Sequence, residues 1–293
     1  MVSLIKNEFL TLKAESKGAE MISLKDNMDS TEYIWQGNPD VWNRHAPILF
    51  PIVGKLKNNK YKIDGTVYEM SQHGFARDME FNLTEQKDNR LKYELKSDEE
   101  TLKKYPYKFK LTVEYILNKN KVDVVYSVDN VDKKTIWFSI GGHPGFRCPM
   151  FEGERYEDYY LKFEYKDTAY RYFADEGLVS DRKALCFNNE YKLFLSRDIF
   201  NEDAFIFKNL KSKKVVLKSV NKRREIEFDF NGFPYLGIWS KPDKEANFVC
   251  IEPWCGIADN KETDGNFKNK EGIISLNQDD KFNCKYSIKI NRY

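Results

Sequence analysis

Apolar residues in this chain come in short runs, often alternating with polar ones and closed off by Asn, Asp, Gly or Lys. A period of two marks strands with one face buried. The spacing predicts strands at Ala19–Leu24, Tyr33–Trp35, Thr66–Met70, Lys92–Leu95, Phe109–Leu117, Lys121–Val128 and Ile136–Ile140. It predicts more at Tyr159–Phe163, Tyr191–Leu195, Ala204–Phe207, Val215–Leu217, Glu225–Phe230, Phe248–Ile251 and Lys285–Ile290. Asn118-Lys119-Asn120-Lys121 sits between two such runs and signals a hairpin. Only Asp98–Tyr105 and Phe200–Asp203 read as short helices. Many strands with short turns imply an all-β chain, a large antiparallel sandwich or barrel. No linker, low-complexity tract or repeat divides it, so a single domain over 1–293 is expected.

Composition narrows the picture. Hydrophobic residues make up 41% and charged residues 32%, which excludes bulk disorder. Aromatic residues reach 15%, a figure that a β-rich core explains and a sugar site would also use. The 48 basic residues nearly match the 46 acidic ones, which leaves no general case for nucleic-acid binding. The first residues lack an apolar signal core and no run is long enough to span a bilayer, so no membrane partner and a cytoplasmic location are expected. Five cysteines without framework or paired spacing argue against both disulfides and zinc; no metal and no cofactor are expected.

Four islands break the strand pattern. Ser139-Ile140-Gly141-Gly142-His143-Pro144-Gly145-Phe146 follows the β-branched and aromatic run Thr135–Phe138. Its two glycines permit close approach, and Pro144 keeps His143 out of a helix, so an imidazole stands at the mouth of a strand. It is either a turn histidine or a functional one. Trp42–Leu56 is a loop fixed by two prolines, with His45 read as a surface or packing residue and Gly54-Lys55 near its end. Ser71–Asp78 sets His73 and Arg77 beside a glycine turn, suited to an anion or a sugar hydroxyl as well as to a plain surface. Phe248–Asp259 carries Glu252 at the end of an apolar strand, with Pro253 and Trp254 behind it. That carboxylate is either salt-bridged at an edge or desolvated towards the range of a general base. No Ser/His/Asp elbow, P-loop or dinucleotide fingerprint is present.

Together these islands resemble the aldose 1-epimerase (galactose mutarotase) family, and more closely its bacterial LacX-type branch. The resemblance rests on Pro47–Gly54, His73–Arg77, Gly142–Phe146, Phe200–Phe207, Phe233–Ser240 and Ile251–Asp259, in the family's order. It implies a galactose-mutarotase-like β-supersandwich that interconverts the α and β anomers of an aldose. By this resemblance His143 protonates the ring oxygen O5 and Glu252 takes the proton from the O1 hydroxyl. The ring then opens, C1 rotates and the ring recloses, without a cofactor. His73 and Asp203 are implied as sugar ligands, and Trp239 and Trp254 as aromatic walls. Where the mutarotases have arginine after valine-glycine, this chain has Lys55, a point charge in place of a planar fork. The binding cation is therefore Lys55, Arg77 or Arg44.

The implied partner is a small sugar, free or phosphorylated, and the protein a monomer or homodimer. A hexose-phosphate mutarotase and a non-catalytic sugar-binding or sensor protein on the same fold stand as alternatives. A two-carboxylate glycosidase is disfavoured, because Glu252 is the one carboxylate a motif carries. An imidazole near neutral pKa and a carboxylate acting at two ends of O1–C1–O5 are expected about 5–8 Å apart.

Overall fold

The computed structural model describes residues 1–221 and 224–293. One sheet of 15 strands runs from an edge at Ile48–Leu49 to an edge at Asn82–Lys87 and contains most of the elements. A three-stranded sheet, Val2–Lys6, Leu10–Glu15 and Met21–Asp26, and two two-stranded ribbons complete it. All its strand pairs are antiparallel, and the hairpin read around Asn118–Lys121 is in register, Lys121 facing Asn118. Burial alternates along Phe109–Asn118 and Lys121–Asn130 as period two requires. Asp98 caps the one α-helix, Glu99–Lys104, by accepting the Thr101 N–H at 2.8 Å.

The high aromatic content goes largely into the core. The Phe50 ring centroid lies 5.0 Å from Phe109 and 5.7 Å from Phe138, and Tyr33, Tyr61, Tyr93, Tyr105 and Tyr126 are also fully buried. Their hydroxyls find partners, as in Tyr61 donating to the Lys104 carbonyl at 2.6 Å and Tyr105 to the Trp137 carbonyl at 2.8 Å.

Several expected elements differ. Tyr33–Trp35 forms only an isolated bridge, Ile34 to Phe146. The run Ile136–Ile140 breaks at Ser139, whose N–H leaves the ladder for the Pro51 carbonyl at 2.8 Å. Ile136–Phe138 then pairs with Ile274–Leu276, while Ile140–Gly142 joins the large sheet. Phe200–Asp203 is not a helix but the end of a 3₁₀ turn that begins at Asp198. Glu252 does not end its strand: Phe248–Cys255 continues through Pro253. The proline is tolerated because Ile140–Gly142 and Gly145–Arg147 leave residues 251–253 without a strand partner on that side. Tyr159–Phe163 and Tyr191–Leu195 are ends of a hairpin with 17 residues in each strand, whose repeated register shifts erase the alternation between them.

The N-terminal sheet is tied to the C-terminal strand through one buried carboxylate. The Asp26 side chain is 0% exposed; it accepts hydrogen bonds from Tyr33 at 2.9 Å and from Arg292 at 2.6 and 2.9 Å, with Arg224 3.6 Å away. Removing it strands buried cationic and hydroxyl donors. Asp26→Ala is expected to cost about 3–5 kcal/mol, the range for breaking a buried pair from one side. Urea unfolding that gives a loss below about 1 kcal/mol would dismiss this tie as incidental.

Candidate active site

Every residue of Phe248–Cys255 is buried, and alternation puts Cys250, Glu252 and Trp254 on one face. Across from it, the two short strands on either side of His143-Pro144 leave a gap opposite residues 251–253. The His143 N–H donates to the Pro47 carbonyl at 3.0 Å, which holds the residue in that gap. Its ring reaches the carboxyl directly: His143 Nε2 lies 3.2 Å from Glu252 Oε2. This corrects the wider separation expected from the sequence. O1 and O5 share one carbon, so an acid and a base serving them need far less than a ring's breadth between them.

Glycines let the elements close on this point. A Cβ on Gly141 would meet the Trp254 ring at 2.8 Å, one on Gly142 the Tyr286 ring at 2.9 Å, and one on Gly237 the Trp254 ring at 2.5 Å. The two glycines before His143 thus serve close approach inside a strand, not a turn.

The pair opens onto a cleft of about 290 Å³. Of the residues read from the sequence, His73, Arg77, His143, Asp203, Trp239, Glu252 and Trp254 line it. Lys55 does not: its Nζ donates to the Glu176 carbonyl at 2.9 Å and its stem packs on Gly177. Arg44 is engaged elsewhere, with Asp78 and, at 3.8 Å, Glu20. His45 is a packing residue, its Nδ1 2.7 Å from the Trp35 carbonyl. Arg77 remains as the cation at the cleft; one amino group donates to the Gln72 carbonyl at 2.9 Å, and its Nε makes no hydrogen bond but lies 3.9 Å from the Asp78 carboxylate.

Trp42 and Gln72 also line the cleft and were not singled out, although both lie inside motif islands. Trp42 stands 5.0 Å from the His143 ring and Trp239 stands 5.8 Å from it, edge-on. Ala174 and Gly177 come from the long hairpin, where no motif marked them.

His73 has its tautomer fixed by the backbone. Its Nδ1 accepts the Gly54 N–H at 3.1 Å, so the ring proton is on Nε2, a neutral donor at the cleft. Burial, with His143 and Arg77 nearby, holds its pKa well below the usual histidine value.

Burial acts on the central pair in opposite directions. It raises the Glu252 carboxyl well above its usual pKa, helped by the Asp203 charge, while the Trp254 indole N–H directed at the carboxyl pulls the other way. Burial also lowers His143 to about 3, with Arg77 adding to the effect. Both groups are thus pushed towards their neutral forms: the carboxyl follows the desolvated alternative read from the sequence, whereas the imidazole departs from the near-neutral value expected there.

Cys250, His143 and Glu252 bring three metal-capable atoms within 4.8 Å of one another, a convergence no spacing could reveal. Burial raises the Cys250 thiol well above its usual pKa. Among the described residues no helix is long and apolar enough to cross a membrane.

A β-supersandwich whose cleft sets an imidazole against a buried carboxyl defines a galactose-mutarotase-like protein. The chain belongs to the aldose 1-epimerase family, whose model matches residues 1–289. It is 35% identical to the plasmid and chromosomal LacX proteins of Lactococcus lactis subsp. lactis, over 98% of this chain and 98% of theirs. Among solved structures it resembles a galactose mutarotase related enzyme from Lactobacillus acidophilus, with a TM-score of 0.95 and 36% identity over 99% of this chain and 97% of that one. A galactose mutarotase-like protein from Lactobacillus casei has a TM-score of 0.91 and 31% identity, covering 99% of this chain and all of its own, 100%.

A carboxyl kept protonated in the fold but ionised in the unfolded chain costs stability as pH rises above its ordinary value of about 4.3. Glu252→Gln removes that cost and keeps the shape. The variant is expected to gain on the native protein by about 1.4 kcal/mol per pH unit above that point, until the folded carboxyl itself ionises. Denaturation from pH 5 to 8 reads it; a gap that stays flat or runs the other way would mean that the carboxylate is already ionised and paired.

Proposed function

We propose that the protein is an aldose 1-epimerase that interconverts the anomers of an unphosphorylated aldose by proton transfer through His143 and Glu252. The 3.2 Å contact between these groups at the base of a tryptophan-walled cleft carries the reading. Ring opening needs one proton delivered to O5 and one removed from O1, so a pair sharing a single mobile proton suffices. Sugar hydroxyls entering the cleft donate hydrogen bonds to the carboxyl, and these favour its ionised form. The proton crosses to His143, which protonates O5 while Glu252 accepts from O1; reclosure after rotation reverses both transfers.

The other side chains have roles that fit this chemistry. Trp42, Trp239 and Trp254 offer faces for sugar C–H groups and exclude water from the pair. His73 Nε2–H and Asp203 are the donor and acceptor for ring and hydroxyl oxygens. The phosphorylated substrate is disfavoured because Lys55 is outside the cleft lining and Arg44 is ion-paired, which leaves Arg77 as the one cation there. A sensor or lectin has no use for a buried acid set against an imidazole, an arrangement that costs stability and gains nothing for binding alone.

Polarimetry of freshly dissolved α-glucose and α-galactose, and of the 6-phosphates, tests the substrate class. Faster equilibration of a free sugar is expected; acceleration of the phosphates alone would replace this reading with the phosphate-specific one. Glu252→Gln and His143→Ala are each expected to lower turnover by about 10²–10⁴-fold. A folded Glu252→Gln protein that still equilibrates anomers at the native rate would end the proposed mechanism. His73→Ala is expected to weaken sugar binding more than turnover, and complete loss of turnover with unchanged binding would instead make His73 the acid.

A further inference from the structure

We infer that Arg171 is a positioning residue: its guanidinium clamps the turn at residues 198–203 and so holds Asp203 at the sugar cleft. The inference rests on the sugar-binding role proposed for Asp203. Arg171 lies on the inner part of the long hairpin, 8% exposed. It donates to three carbonyls of the turn, Ile199 at 3.3 Å and Glu202 and Asp203 at 2.8 Å each. Its guanidinium carbon sits 4.0 Å from the Phe205 ring centroid and 4.5 Å from that of Phe173, so the rings that flank the turn also hold the cation.

Among the described residues no carboxylate lies within ion-pair distance of Arg171. Glu202 and Asp203 act on this buried cation only from beyond ion-pair distance, so it is a costly way to fill a strand, and an apolar side chain would pack there at less cost. What arginine alone supplies is a rigid fork that reaches three carbonyls at once. The turn requires such a hold, because Asp203 adopts φ +66, a conformation uncommon for residues other than glycine. The Asp203 Oδ1 also accepts the Ala204 N–H at 2.8 Å, which turns the carboxylate with the backbone that Arg171 grips. Arg197, at the start of the turn, donates to the carbonyls of Asp243 and Ala246 and ties that end to a different loop. The fixed start and the clamped end together set where Asp203 stands.

The test compares Arg171→Lys and Arg171→Met with Asp203→Ala, singly and combined, in the full-length protein. Hydrogen exchange of the peptide covering 198–204 is expected to speed up in both Arg171 variants while the Phe248–Cys255 strand stays protected; unchanged protection of 198–204 would overturn the clamp. This readout needs no activity, so it stands even if the protein turns over no sugar. With the sugar that polarimetry identifies, each Arg171 variant is expected to raise KM by about 10–100-fold with kcat little changed, as for loss of a charged hydrogen bond made equally in ground and transition states. Arg171→Met added to Asp203→Ala is expected to have no further effect. Additive losses, or a folded Arg171→Lys protein with native KM, would overturn the positioning role.

Discussion

The site depends on a carboxyl and an imidazole meeting at 3.2 Å where water is excluded. Exclusion is a constraint on the whole sheet, because Glu252 must sit in a strand buried from end to end while one edge of that strand stays open. The chain solves this by breaking the neighbouring strand in two. Ile140–Gly142 and Gly145–Arg147 pair with the two ends of Phe248–Cys255, and the His143-Pro144 step between them faces the carboxyl. Gly141, Gly142 and Gly237 are then obligatory: each lies where any side chain would push against Trp254 or Tyr286 and open the wall. The backbone polar groups freed by the break are recovered through the Pro47 and Pro144 carbonyls, which accept from His143 and Ile251.

The same burial sets the electrostatics. Both groups are driven toward their neutral forms. That arrangement opposes stability, since the unfolded chain would ionise Glu252 freely, and it matches the demand of a reaction that begins and ends with the same protonation state. Charges around the pair are kept apart by role. Asp203 raises the carboxyl, Arg77 lowers the imidazole, and Lys55 and Arg44 are tied to partners elsewhere.

Legibility from the sequence followed the physics of each feature. The hairpin at Asn118–Lys121 and the helix capped by Asp98 are local, and both were readable from a few residues. The long hairpin was readable only at its ends, because bulges destroy the alternation on which the reading relies. His143, Glu252, His73, Arg77, Asp203, Trp239 and Trp254 come together as the motifs suggested, while Lys55 does not. Its position beside Gly54 was plain, but the direction of a flexible four-carbon stem depends on what it meets, here the Glu176 carbonyl from the far hairpin. The charge state of the pair was also out of reach. Period and spacing identify a carboxylate and an imidazole, whereas their pKa values depend on burial by strands hundreds of residues apart in sequence order.

The two walls of the cleft are encoded differently. Trp254, His143 and His73 stand on segments whose glycines and prolines have little freedom to vary, since the backbone itself must pass within contact distance. The facing wall, with Ala174, Gly177, Asp203 and Ala204, comes from the bulged hairpin and the turn after it. Under the proposed function, changes there alter which hydroxyls are met without disturbing the His143–Glu252 contact. Chemistry and sugar preference can therefore diverge independently on this scaffold, and only the first is marked by motifs. The second has to be read from the groups that hold the turn in place, which is why a buried arginine far from any motif matters to the site.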